Sequence, residues 1–227
     1  MRCYLFTSSC SLAVFFAFLS LVAGDEQSYT VKDVGVYYES LCPDSIRFIK
    51  NQLVPAYDAV KDHIRVTLVP YGKASHKRNA ATEEWEFACQ HGPKECQGNM
   101  AQACALHEIQ NKEPAEKVQQ LSVSLVGCVM SARNPASSVP QCAQSVGLSQ
   151  ETKTSIDQCI SGSKSKELLV ANGEKTDALN PPLSFVPTIT INGVTSKEIQ
   201  NKALSNFLKL ICDMIPQDSR PDKCSTA

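Results

Sequence analysis

Residues 31–38, VKDVGVYY, are rich in β-branched and aromatic side chains, a pattern that predicts a strand. The period then changes. Ile46, Ile49 and Leu53 recur at helical spacing. The predicted helix opens at Cys42-Pro43-Asp44-Ser45, with Pro43 at the first helical position, where its missing N–H costs nothing. Pro55 is expected to kink or restart that helix. Residues 64–71, IRVTLVPY, return to strand character. A strand, a helix and a strand in this order predict a parallel βαβ unit.

From about residue 73 to 177 no strand pattern stands out. Helical patterns cover 101–111, 115–130 and 149–178, the last with a break at Ser161-Gly162-Ser163, and 134–138 reads as a loop. The segment 73–178 is therefore expected to be a helical insertion. Its basic residues Lys73, His76, Lys77 and Arg78 read as a solvated loop. Strand character returns in FVPTITING, where 188–191 alternate and Asn192-Gly193 signals a hairpin turn. Pro187 is tolerated only at an edge or at the first position of that strand. Thr195 and Glu198 have the spacing of a capping box. Ile199, Ala203, Phe207, Leu210 and Met214 then mark an amphipathic last helix, read as core packing. The order is βαβ, helical insertion, ββα. Without the insertion it is the order of a thioredoxin-like α/β fold.

The chain has 227 residues, a length suited to one domain. Arg2, the apolar run 12–22 and the small residues Val22-Ala23-Gly24 read as a signal peptide, removed after residue 24, with one domain over 25–227. The run is too short for a membrane anchor, and no later run reaches spanning length. The formal net charge of -1 gives no field to attract nucleic acid or an anionic membrane. The expected product is a soluble protein made in an oxidising compartment.

The cysteines sharpen this reading. Of 11 in the sequence, Cys3 and Cys10 fall in the leader, so nine remain. An odd number in a secretory protein leaves one thiol unpaired. Cys42, remote from the others, is the expected odd one. Cys89, Cys96, Cys104, Cys128, Cys142, Cys159, Cys212 and Cys224 suffice for four disulfides, and eight cysteines allow 105 connectivities. Cys212 and Cys224 are placed to tie down the C-terminal tail. A zinc site needs ligand pairs about two to four residues apart. The spacing of Cys89, Cys96 and Cys104 does not provide that, and no C-x-x-C occurs. No metal and no cofactor is expected.

Cys42 combines the features of a reactive cysteine: a preceding strand, a helix start and no partner. A helix N-terminus favours an anion by about 0.3–1 kcal/mol, and the thiolate is the nucleophile. Asp44 opposes a second negative charge, whereas Ser45 has a hydroxyl to donate to the thiolate. The bland reading is a buried, inert thiol, a common fate of cysteine. Ser45 occupies the place where thiol-disulfide enzymes carry a second cysteine. That second thiol releases the mixed disulfide intramolecularly, with a large effective concentration, and a serine cannot. Pro187 stands where a thioredoxin-like protein carries a cis proline facing the active-site helix.

The stretch from Cys89 to Cys104, CQHGPKECQGNMAQAC, fits the pattern C-Q-H-G-x-x-E-C-x-x-N-x-x-x-x-C. It closely resembles the signature of the gamma-interferon-inducible lysosomal thiol reductase (GILT) family. TDALNPPLSFVPTITING and the final Pro221-Asp222-Lys223-Cys224 resemble other parts of that family, so the likeness runs over about residues 31–224. The resemblance implies a thioredoxin-like fold with a helical insert that reduces protein disulfides in the endocytic lumen. It places Cys42 on the first active-site cysteine and Ser45 on the second, from which it departs. It gives Cys89, Cys96 and Cys104 a structural role, and His91 a structural role before a proton-carrying one. No Asn begins an Asn-x-Ser/Thr sequon, so plain secretion stands beside delivery to the endosomal or lysosomal lumen.

Two functions follow. One is a GILT-like oxidoreductase with weak dithiol turnover that acts through Cys42 on disulfide-containing proteins. The other is a secreted, inactive binding protein that keeps the scaffold for an unidentified partner. The cysteine count is directly testable. Alkylation of the denatured, unreduced mature chain should modify one thiol by mass, and any other number would refute the assignment of a single unpaired cysteine.

Overall fold

The computed structural model describes residues 31–226. The signal-peptide reading, with Cys3 and Cys10, lies outside them. The central sheet has three strands in the order β2-β1-β5, formed by β1 (Lys32–Tyr38), β2 (Ile64–Pro70) and β5 (Thr188–Ile191). β1 and β2 run parallel with Val36 opposite Leu68, and β5 runs antiparallel to β1 with Ile189 opposite Val36. The βαβ unit expected from the sequence is present. Val34, Val36 and Tyr38 point one way from β1 and are buried, as a period of two requires.

The crossover between β1 and β2 is one continuous helical run in three parts. α1 (Pro43–Phe48) leads into a π-helical turn at Ile49–Leu53, and α2 (Val54–Val60) follows. Pro55 sits at the start of α2. A proline there has no N–H for the preceding turn, and the wider π turn accommodates it. Phe48, Ile49, Leu53, Tyr57 and Val60 are buried against the sheet and against Phe207 and Ile211 of α8 (Lys197–Cys212). Phe48 and Phe207 meet edge to face at 5.7 Å.

α8 is kinked at Asn206, whose φ of -153° leaves the helical region. Asn206 Oδ1 accepts from Lys209 N at 3.0 Å and recaps the second half. Gln52 lies in the π turn and supplies the rest. Its amide donates to Ser205 O at 3.2 Å and accepts from Phe207 N at 3.1 Å.

The insertion corrects the sequence reading at its start. Residues 75–78 and 85–88 form a hairpin, β3 (Ser75–Arg78) and β4 (Trp85–Ala88), where no strand was expected. His76 is not in a solvated loop: its ring packs against Tyr71, Trp85 and Phe87, and Nδ1 is 2.7 Å from Tyr71 Oη. Four-residue strands with charged outer positions are too short to show alternation. The rest is helical: α3 (Pro93–Lys112), α4 (Ala115–Ser131), α5 (Val139–Ser145), α6 (Gln150–Ser161) and α7 (Lys164–Asp177). The break at residues 161–163 separates α6 from α7 as expected. A short 3-10 turn at Pro135–Ser137 occupies the loop expected at 134–138. Ala105, Ile109, Leu125, Val129, Val139 and Ile156 form a second core within the insertion.

Two expectations near the C-terminus fail. The Asn192-Gly193 turn forms, with both residues at positive φ. It closes only a single bridge between Ile191 and Val194, so the expected second strand is absent. The chain is already committed to α8 by Ser196, whose Oγ accepts from Ile199 N at 3.1 Å. Ser196, not Thr195, is therefore the N-cap, and Glu198 pairs with Lys202.

Among the described residues the disulfides are Cys89–Cys96, Cys104–Cys159, Cys128–Cys142 and Cys212–Cys224. The last ties the tail to α8, as the sequence indicated. Cys104–Cys159 spans 55 residues and joins α3 to α6. In the chain-entropy account, the bond closing the longest loop restricts the unfolded chain most.

The Gln52 bridge yields a prediction. Gln52→Ala leaves Ser205 O and Phe207 N without their partner at the kink, and should cost roughly 1–2 kcal/mol in urea unfolding of the oxidised chain. A change within error would show that water replaces the bridge at no cost.

Candidate active site

Cys42 ends the loop after β1 and is the N-cap of α1, with extended backbone (φ -67°, ψ 122°). It is the one free cysteine among the described residues. Its side chain is largely buried, with 7% of the residue exposed. The thiol faces Val186 O at 3.8 Å, and the next peptide bond, Val186–Pro187, is cis. The helix start and the proline segment, 144 residues apart in sequence, therefore meet at the sulfur.

The proline segment is held from two sides. Gln200 of α8 donates to Pro187 O at 2.5 Å and accepts from Ile189 N at 3.1 Å. Thr188 Oγ1 donates to Phe185 O at 2.5 Å. Phe185 itself is exposed beside the segment. Asp44, expected to oppose a thiolate, is paired at the surface with Arg47 at 2.8 Å, which offsets its charge.

Ser45 is fully buried. Its Oγ accepts from Glu39 N at 3.3 Å, and it makes no hydrogen bond to Cys42 among the described residues. The expected donation from Ser45 to the sulfur is therefore not made. The geometry directs this hydroxyl back to the loop.

The loop preceding Cys42 is buried and polar. Glu39 and Ser40 have no solvent exposure. Asn99 Oδ1 of α3 accepts from Ser40 N at 2.9 Å, and Glu95 O accepts from Ser40 Oγ at 3.1 Å. Tyr38 Oη donates to Gln102 Oε1 at 2.8 Å. A Cβ added at Gly98 would lie 2.5 Å from Ser40 Oγ and 3.0 Å from Ala136 Cα, so only glycine lets α3 approach this closely. The 89–104 stretch thus packs directly against the loop that carries Cys42.

Beside it stands a cluster that sequence reasoning missed. Glu39 Oε1 accepts from Lys73 N at 2.7 Å. Glu95 Oε1 accepts from His91 N at 3.0 Å, and Glu95 Oε2 is 2.6 Å from His91 Nδ1. Glu39 Oε2 lies 3.4 Å from the same nitrogen without a hydrogen bond. Burial raises the Glu39 pKa above the ordinary carboxylate value; the neighbouring Glu95 adds to the rise, while the Lys73 N–H and His91 oppose it. Glu95 stands in the 89–104 stretch, but nothing in the linear sequence brings 39 and 95 together. A surface hollow lined by Val66, Leu68, Leu106, His107, Asn172 and Lys175 shares no residue with this site.

Comparison with known proteins agrees with this geometry. A family model described as gamma interferon inducible lysosomal thiol reductase (GILT) matches residues 33–146. The gamma-interferon-inducible lysosomal thiol reductase of Carassius auratus is 34% identical over 191 residues, covering 84% of this chain and 71% of the relative. The chain belongs to the GILT family. The Mus musculus gamma-interferon-inducible lysosomal thiol reductase is 32% identical over 193 residues, covering 85% of this chain and 71% of its own. Among solved structures, the MdbA thiol-disulfide oxidoreductase of Actinomyces oris superposes with a TM-score of 0.55 at 13% identity, over 85% of this chain and 83% of that one. Chlamydia trachomatis DsbA superposes with a TM-score of 0.50 at 14% identity, over 75% and 79% of the two chains. The fold of this GILT-family chain is therefore thioredoxin-like and DsbA-like, with its disulfides concentrated in the helical region.

The buried Glu39 makes a prediction about pH. A carboxyl whose folded pKa is raised binds its proton more tightly when folded. Its contribution to stability is present in acid, below the unfolded value, and is lost as pH rises through the folded value. Glu39→Gln mimics the protonated carboxyl. In chelator-containing buffer, the variant's urea stability relative to wild type should therefore improve as pH rises from about 5 to about 7.5. A pH-independent difference would mean that the burial of Glu39 is not felt.

Proposed function

We propose that this GILT-family chain is a thiol-disulfide oxidoreductase that acts through Cys42 alone, with little or no dithiol turnover. The observation that carries the reading is the meeting of the unpaired Cys42 thiol with the carbonyl before cis-Pro187 at a helix start. The Cys42 thiolate would attack one sulfur of a protein disulfide. A Cys42–substrate S–S bond forms, the original S–S bond breaks, and the second substrate sulfur leaves as a thiolate that takes up a proton. The Val186–Pro187 backbone offers an edge for extended substrate, and the exposed Phe185 offers apolar contact to an unfolded one.

Release distinguishes this chain from a dithiol enzyme. Ser45 has no sulfur to attack the mixed disulfide, so an external thiol or another cysteine of the substrate must do so. With two equivalents of an external thiol the substrate is reduced to its dithiol. The first attacks the mixed disulfide and frees one partner, and the second attacks the disulfide so formed. The two external thiols leave joined as a disulfide, and Cys42 returns as a thiol. With a substrate cysteine the disulfide is moved and no net oxidation occurs. The partners proposed are disulfide-containing proteins. The place of action proposed is outside the cell or in the endosomal or lysosomal lumen, as the names of the relatives and the four disulfides among the described residues support. Among the described residues no helix is long and apolar enough to cross a membrane.

The low exposure of Cys42 favours a second reading, an inactive binding protein on the same scaffold. One experiment separates the two. Incubation with a denatured disulfide substrate, followed by acid quench and non-reducing electrophoresis, should trap a covalent adduct with wild type and none with Cys42→Ala. Ser45→Cys should shorten the adduct's lifetime and raise reductase turnover at least tenfold, because the second step becomes intramolecular. No adduct from wild type, together with native Cys42 resistant to alkylation, would overturn the monothiol reading in favour of the binding protein.

A further inference from the structure

Glu39, His91 and Glu95 are arranged as ligands. Nδ1 of His91 and one oxygen of each carboxylate all lie within 4.8 Å of one another. In each carboxylate the other oxygen is fixed by a backbone N–H, from Lys73 for Glu39 and from His91 for Glu95. Such outer partners orient metal ligands and leave the second oxygen free to bind. The second oxygen of Glu39 is buried, has no hydrogen-bond partner, and points at His91 Nδ1. Neither glutamate forms an ion pair with Lys or Arg among the described residues. Two buried carboxylates facing one imidazole thus lack a full counter-charge, and a buried charge without one is costly.

We propose that these three side chains bind one divalent ion of the zinc class. A nitrogen with two carboxylate oxygens suits a borderline cation, whereas calcium needs six to eight oxygens. Bonds of about 2.0–2.2 Å in a tetrahedron hold ligand atoms roughly 3.3–3.5 Å apart. Glu39 already stands 3.4 Å from His91 Nδ1. Glu95 stands at 2.6 Å, the length of a hydrogen bond, and need move only by several tenths of an ångström when the metal replaces the shared proton. His91 is partly exposed, with 34% of its side chain accessible, which gives an entry path and room for a water as fourth ligand. The ion clamps the β1–α1 loop, three residues before Cys42, to the first turn of α3. This departs from the absence of metal expected from cysteine spacing, because the ligands are not cysteines. It is independent of whether Cys42 reacts.

The test is zinc binding by the oxidised mature chain against a chromophoric chelator near neutral pH. Cys42→Ser serves as the parent, so that no thiol competes as a ligand. The parent should take one zinc per chain with micromolar or tighter affinity, and millimolar calcium should not displace it. Glu39→Gln and His91→Asn should each weaken binding at least tenfold, while His107→Asn should leave it unchanged. If Glu39→Gln fails to fold, His91→Asn, at a partly exposed position, gives the same reading. No stoichiometric zinc in the parent, displacement by calcium, or undiminished binding in His91→Asn would each overturn the proposal.

Discussion

The loop between β1 and α1 is buried, and its backbone and side-chain polar groups must find partners inside the protein. That requirement organises the site. A buried N–H or C=O left unpaired costs about 1–3 kcal/mol. Glu39 N finds Ser45, Ser40 N finds Asn99, and Ser40 Oγ finds the Glu95 carbonyl. Two of these three partners belong to α3, which is part of the insertion. The insertion is therefore not an appendage to a complete thioredoxin-like unit. It satisfies the polar groups of the segment that presents Cys42, and Gly98 sets how close it can come.

The other side of the site depends on glutamines in the same way. Gln200 clamps Pro187 and Ile189 from α8, and Gln52 bridges the kink of α8 from the π turn. These contacts run in sequence. The crossover helix positions α8, α8 positions the proline segment, and the proline segment meets the sulfur at the head of the crossover helix. Phe48 packs on Phe207 within a shared apolar core, while the amide side chains fix its register. A shift at Asn206 would thus be felt 19 residues away in sequence, at cis-Pro187.

The parts legible in the sequence were those carried by apolar period or by counting. Val34, Val36, Ile49, Leu53, Phe207 and Leu210 repeat at strand or helix spacing, and all are buried. The odd cysteine was legible because pairing is arithmetic. The start of α3 was not. Its expected stretch began at residue 101, yet the helix begins at Pro93, because Glu95, Asn99 and Gln102 face the interior for hydrogen bonding and break the apolar pattern. The β3–β4 hairpin was too short for its alternation to register. The Glu39–His91–Glu95 cluster was hidden for a different reason: its members come from two segments whose contact is decided by the fold, and the spacing rules for metal sites cover only near neighbours.

Position 45 shows what a serine does in this loop. A sulfur there would be a weak acceptor, whereas the serine oxygen takes the Glu39 N–H inside a buried loop. The serine is therefore a better partner for the backbone before Cys42 than a thiol at this place would be. Every polar group named in the Cys42 loop has a partner except Glu39 Oε2, and that atom points at His91. A loop so fully bonded, beside a proline segment that Gln200 holds from α8, favours a fixed Cys42 side chain.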